Sequence, residues 1–192
     1  MKTRESGMPD ESMWAGFFDT PTVLEKLGLT PQAEDVVEFG CGYGTFTIPA
    51  ARIVRGVVHA LDIEPAMVEL VRAKAQAAGL GNIRLEVRDI VDQGTGLPDG
   101  SADYAMMFNI LHAEQPLVLL QEAMRVLRVG GRLGIMHWNY DPATPRGPSM
   151  AIRPPPAQCQ AWAEQAGFHL LGPEVIDLPP YHYGLVLVRP RK

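Results

Sequence analysis

Val36-Val37-Glu38-Phe39-Gly40-Cys41-Gly42-Tyr43-Gly44, with Leu61-Asp62 about twenty residues later, decides the fold. Val36, Val37 and Phe39 read as a short buried parallel strand, the glycines as a turn, and the residues after them as a helix. Asp62 then closes a second strand. Gly40 and Gly42 let main chain approach a ligand where a Cβ would clash, and both accept positive φ. An acid at the end of the second strand is where a doubly wound sheet holds a ribose through its hydroxyls. These features predict a nucleoside-bearing ligand at the carboxyl ends of the first two strands.

Glycine spacing narrows the ligand. A dinucleotide site uses G-x-G-x-x-G, in which helix-terminus amides take the pyrophosphate. Here Gly44 arrives one residue early and Thr45 stands where the dehydrogenase glycine belongs. Glu38 would repel a pyrophosphate but suits an ammonium group. A molecule with ribose at one end and an amino acid at the other is S-adenosylmethionine, the predicted cofactor. G-x-G-x-G alone also fits a plain strand-to-helix turn; Glu38 and Asp62 together weigh against that.

The stretch Glu38–Gly44 resembles the first motif of the class I S-adenosylmethionine-dependent methyltransferases, small-molecule type. Ala60-Leu-Asp-Ile-Glu-Pro-Ala-Met67 is similar to the second motif, and Val87-Arg-Asp-Ile90 to the acid-bearing turn after the third strand. Ala102–His112 resembles the fourth strand and its loop, and Arg128–Gly134 the turn into the fifth. The likeness spans roughly residues 30 to 190. It implies an α/β fold: a doubly wound, mostly parallel, seven-stranded sheet with helices on both faces and a C-terminal antiparallel strand. It also implies cofactor contacts at Glu38, Gly40, Cys41, Gly42, Gly44, Asp62, Ile63, Met67, Asp89, Ile90 and Asn109. Ile110-Leu111 after Asn109 departs from the Asn-Pro-Pro-Tyr motif of enzymes that methylate exocyclic or amide nitrogens.

Composition fits a single domain over 1–192. Of the 192 residues, 46% are apolar and 20% charged, as in an ordinary globular protein. A net charge of −5 argues against a bulk nucleic-acid binder. No apolar run approaches the eighteen or so residues of a membrane helix, and Met1–Ser6 lacks a signal-peptide segment. Cytoplasm is the expected location. Cys41 and Cys159 give neither a disulfide framework nor metal spacing, so no metal is expected. Cys159 reads as a small buried hydrophobe on a helix from Ala157 to Ala166.

Apolar patterning predicts strands near 36–40, 57–62, 83–88, 102–108 and 132–138, then a closing antiparallel pair at 168–178 and 183–188. Pro65 opens a helix with Met67, Leu70, Val71 and Ala78 toward the sheet, capped by Gly79. Pro116 opens another, with Leu117, Leu120, Met124 and Leu127 inward and Gly130-Gly131 ending it. Tyr181, His182 and Tyr183 read as an exposed turn.

Two segments stand outside the alternation. Residues 1–30 carry the cluster Met13–Phe18, which either packs on the domain or caps the cofactor and acceptor. Residues 140–156 hold six prolines, too many for helix or central strand, and a long loop after the fifth strand suits a binding lid. Methyl transfer from a sulfonium is an in-line displacement that depends mostly on positioning, with a base needed only when the acceptor must lose a proton. His112 is the candidate catalytic residue. Trp14, Phe17, His137, Trp138 and Tyr140 are candidates to line a small-molecule acceptor site. The alternatives are a non-catalytic S-adenosylmethionine-binding partner module and, less favoured, a nicotinamide-dependent oxidoreductase. The acceptor and the oligomeric state are not readable from the sequence.

Overall fold

The computed structural model describes residues 9–172 and 175–191. The Met1–Ser6 stretch, read above for a leader, lies outside them. Helices α1 (Glu11–Ala15) and α2 (Thr20–Lys26) precede β1 (Asp35–Phe39). Strand and helix then alternate through α3 (Thr47–Ile53), β2 (Val57–Asp62), α4 (Pro65–Ala77), β3 (Ile83–Val87) and α5 (Ile90–Gln93). They continue as β4 (Ala102–Phe108), α6 (Pro116–Val126), β5 (Leu127–Trp138) and α7 (Pro156–Gln165). Three strands finish the chain: β6 (His169–Leu170), β7 (Ile176–Leu178) and β8 (His182–Val188).

One sheet holds all eight strands in the order β3-β2-β1-β4-β5-β8-β6, with β7 also on β8. The first five are parallel, and β8 runs antiparallel to β5. β6 pairs with Leu187–Val188 and β7 with His182–Gly184, so both lie along the same free edge of β8. The expected strand at 168–178 is therefore one lane broken in two, and the seven predicted lanes are present. Strand order reverses between β1 and β4, which opens a crevice at their carboxyl ends.

Alternation along the central strands builds a core on each face. Val37, Phe39, Ala105, Met107, Leu133 and Ile135 pack with α6 and α7, while Val36, Tyr104, Met106 and Met136 pack with α2 and α3. Pro65, Pro116 and Pro156 each begin a helix, where a missing N–H costs nothing. Two helix faces differ from expectation. α4 buries Val68, Val71 and Ala75 and leaves Ala78 exposed; α6 buries Leu119, Leu120, Ala123 and Val126. Gly130-Gly131 does not end α6: the chain turns at Leu127 directly into β5. A register shift between Ala102 and Tyr104 absorbs the extra residues.

Gly134, in the middle of β5, faces the buried Tyr104 ring, whose hydroxyl donates to the Leu27 carbonyl at 2.8 Å. A Cβ there would overlap the hydroxyl and lie 2.9 Å from Cζ. Gly134→Ala is expected to destabilise the domain by about 1–3 kcal/mol through overpacking, read as a lower urea midpoint with an unchanged slope.

Candidate active site

The crevice begins with the glycine turn. Gly40 and Cys41 both donate their amides to the Leu61 carbonyl at 2.9 Å. Asp62 accepts from the Gly42 amide at 2.8 Å through Oδ2 and from the Glu64 amide at 2.9 Å through Oδ1. Gly40 takes φ +80°, and a Cβ there would lie 3.1 Å from Ile110 Cδ1. Glu38 is buried beneath this turn, where Thr47 donates to its Oε2 at 2.5 Å. Asp89 caps α5 by accepting from the Val91 amide at 3.1 Å.

Above the turn lies a cavity of about 500 Å³. Of the residues named from the sequence, Glu38, Gly40, Cys41, Gly42, Asp62, Ile63, Met67, Asp89, Ile90, Asn109, His112, Trp14 and Trp138 line it. Four do not. Gly44 packs against α4, where a Cβ would sit 2.9 Å from Val71 Cγ2. Phe17 is buried edge-on against Trp138 and Tyr181. His137 is fully buried behind His112. Tyr140 is about half exposed and borders a second cavity of about 390 Å³, which shares His112, Ala113 and Glu114 with the first.

Of the amino-terminal cluster, Trp14 lines the cavity, while Phe17 and Phe18 pack on the domain against Trp138, Phe46 and His182. Trp14 packs against Trp138 with centroids 6.3 Å apart. Tyr43 donates to the Pro9 carbonyl at 2.9 Å, and Lys74 joins Glu11 to the Tyr43 carbonyl. These contacts tie the segment to the glycine turn and to α4.

Two imidazoles support the loop after β4. Asn109 holds φ +53°, donates its amide to the Met136 carbonyl at 2.7 Å, and places Nδ2 3.3 Å from His182 Nε2. His112 Nδ1 lies 3.3 Å from His137 Nε2. Burial, then the Arg153 charge, lowers the His182 pKa to about 3. Burial first, followed by His112 and His182, lowers that of His137 well below the ordinary value. Both rings are neutral. The 181–183 segment is not the exposed turn expected: His182 and Tyr183 are buried, and Tyr181 stacks on Trp138.

Arg153 is the residue that sequence reasoning missed. Buried within the proline-rich loop, its guanidinium donates to the carbonyls of Asn139, Asp141, Arg146 and Pro148 and to Thr144 Oγ1. The signal was available: six prolines remove six amide donors, leaving carbonyls that a buried arginine can serve. This brings Arg146, Gly147 and Pro148 onto the cavity wall. Burial, then the neighbouring Glu38 and Asp62 charges, push the Cys41 thiol pKa up, which disfavours the thiolate form. Cys159 is buried as expected, with Sγ 3.2 Å from the Tyr183 hydroxyl. Among the described residues no cluster of three or more acidic, histidine or cysteine side chains could hold a metal, and no helix is long and apolar enough to cross a membrane.

The Glu38 pKa is raised from 4.5 to about 8, chiefly by burial, against the Thr47 hydrogen bond and with the Asp62 charge. Asp62 is raised as well, again by burial first. The folded chain keeps a proton here that the unfolded chain releases. The stability that Glu38 contributes without ligand is therefore full below pH 4.5, falls as pH rises, and is lost above about 8. Glu38→Gln is expected to remove most of that slope in chemical denaturation followed from about pH 5 to 8. An unchanged slope would mean that Glu38 is already ionised in the folded chain.

Comparison with known proteins agrees with this geometry. A model described as "Methyltransferase domain" matches residues 36–131, half of the chain. Aklanonic acid methyltransferase from Streptomyces sp. strain C5 is 36% identical over 103 residues, covering 52% of this chain and 46% of that protein. Nocamycin O-methyltransferase from Saccharothrix syringae is 36% identical over 105 residues, covering 53% and 36%. The chain thus spans less than half the length of these two relatives. The crystal structure of a SAM-dependent methyltransferase from Aquifex aeolicus superposes with a TM-score of 0.82 at 25% identity, covering 94% of each chain. With the glycine turn, the acid at the end of β2 and the reversed strand order in place, the chain belongs to the methyltransferase-domain family, class I.

Proposed function

We propose that this chain transfers a methyl group from S-adenosylmethionine to a small-molecule acceptor. The observation that carries the reading is Glu38, a buried carboxyl on the wall of the same cavity that Asp62 enters from β2. An ammonium on the ligand would take the ionised form of Glu38, while a pyrophosphate would be repelled. Asp62 spends one lone pair of each oxygen on Gly42 and Glu64 and can accept one more hydrogen bond at each, as a ribose diol requires. Asp89, beyond β3, suits the adenine amino group. Gly40 leaves the close approach that a Cβ would fill.

The bound cofactor supplies an electrophilic methyl carbon on a positively charged sulfur. The chain's own residues do the rest. Asn109, Trp14, Phe108 and Trp138 line the far end of the cavity, where aromatic faces favour a cationic centre and exclude water. On this reading the acceptor sits between His112, Trp138 and the 146–148 wall, and the second cavity beyond His112 offers room for its remainder. His112 is the proposed base. The two relatives named for methylating aklanonic acid and nocamycin support a small organic acceptor, as does the cavity size.

S-adenosylmethionine or its demethylated product is expected to raise the melting temperature, whereas NAD is not. Binding at a hundredfold excess over Kd stabilises by about 2.7 kcal/mol. Asp62→Ala should weaken cofactor binding by roughly 2 kcal/mol, about thirtyfold, since hydrogen bonds to charged groups contribute about 1.5–3. Calorimetric titration measures this. Tritium transfer from labelled cofactor into a metabolite extract then tests catalysis, and binding without transfer would identify a cofactor-binding module instead.

A further inference from the structure

We propose that Arg146 holds a carboxylate of the acceptor, which makes the substrate an organic acid methylated at another of its atoms. This rests on the methyl-transfer reading above and names the class of molecule that the same site takes. Every other charged residue on the cavity wall is already engaged. Glu38 accepts from Thr47, Asp62 from the Gly42 and Glu64 amides, and Asp89 from the Val91 amide. Arg88 pairs with Glu86 at 3.0 Å, and Glu64 and Glu114 hold interactions of their own. Arg146 differs. Its carbonyl accepts from Arg153, but its guanidinium has no hydrogen bond or ion pair with any described residue.

Arg146 is exposed, yet the main chain that carries it is held in place. Arg153 Nη2 donates to the Arg146 carbonyl at 3.2 Å and to that of Pro148 at 2.8 Å. Gly147 between them takes φ +112°, and a Cβ there would lie 2.9 Å from both Arg153 Nη2 and Trp138 Cγ. The backbone thus passes hard against the Trp138 ring, an approach that only glycine allows. Pro145 and Pro148 restrict φ on either side. Arg146 is delivered in this way to the β5 side of the crevice, beside Trp138. Glu38, Asp62 and Asp89 belong instead to β1, β2 and the turn after β3.

The chemistry of the side chain selects its partner. A guanidinium presents paired N–H donors whose spacing matches the two oxygens of a carboxylate. A bound sulfonium adds a further positive charge to the cavity, and a monoanionic acceptor offsets it where a neutral one does not. A phosphate dianion would exceed the single charge of Arg146 and set the surplus against Glu114 and Asp89 on the same wall. The carboxylate is the anchor and not the methylated group, because oxygens that accept from Arg146 have lone pairs committed and are poorer nucleophiles. No bond forms or breaks at Arg146; its part is placement. The aromatic faces of Trp14, Phe108 and Trp138 suit an aryl body on the acid.

The test follows the arginine Nε–H signals of nitrogen-labelled protein saturated with S-adenosylhomocysteine and titrated with benzoate, benzamide or inorganic phosphate. The Arg146 signal, identified by its loss in Arg146→Gln, is expected to shift saturably with benzoate and to stay in place with benzamide. Arg55 and Arg191, exposed and outside the cavity, give the reference for loose ion contact. Followed at the Trp138 indole N–H, Arg146→Gln should weaken benzoate binding about tenfold, and Arg146→Lys should recover part of the loss. An Arg146 response to benzoate no stronger than that of Arg55 overturns the proposal. So does equal affinity for benzoate and benzamide, or unchanged benzoate affinity in Arg146→Gln. A saturable response to phosphate alone overturns the carboxylate and identifies a phosphoryl-bearing acceptor. Failure of the methyl-transfer reading shows separately, as an absent thermal shift with S-adenosylmethionine.

Discussion

The site depends on how the first glycine turn is fastened to the second strand. Four main-chain amides are held by two neighbouring residues: Gly40 and Cys41 by the Leu61 carbonyl, Gly42 and Glu64 by the two oxygens of Asp62. One end of β2 therefore fixes both the turn after β1 and the start of its own loop. Val71 of α4 presses on Gly44 from behind, so the turn is held on its far side too. With the turn so fixed, Glu38 is confined below it and the crevice between β1 and β4 has a rigid floor.

That floor is acidic. Glu38, Asp62, Glu64, Asp89 and Glu114 line the cavity, against Arg88 and Arg146. Arg88 is itself bonded to Glu86. A ligand with a sulfonium and an ammonium suits this field, and a dinucleotide does not. Because Glu38 is desolvated, the charge it offers is conditional: it ionises fully when a cation arrives to compensate the burial.

The parallel half of the sheet was legible because its strands are rich in apolar and β-branched residues, and because a glycine turn follows β1 and an acid ends β2. The crevice positions were legible for the same reason, since residues at those ends are placed by topology alone. What escaped was direction. At the end of β5, His137 and Trp138 are consecutive and must face opposite sides, and nothing local says which turns inward. Tyr181 to Tyr183 looked like a polar turn because their partners, Phe17, Asn109, Trp138 and Cys159, lie far away in the chain. The two-part strand at 168–178 and the early start of β5 are pairing effects, set by β8 and by a register shift rather than by propensity.

The buried guanidinium of Arg153 has a consequence for how the proline-rich loop can move. Four carbonyls spaced between Asn139 and Pro148 converge on a single cation, and two of them, those of Asn139 and Asp141, also accept from the Asp141 and Thr144 amides. The loop cannot peel open from one end, because releasing any carbonyl leaves the cation short while the others still hold it. Its exchange between docked and undocked is a single cooperative event. Gly147, wedged against both Arg153 and Trp138, would leave the cavity wall in the same event that released the far end of the loop.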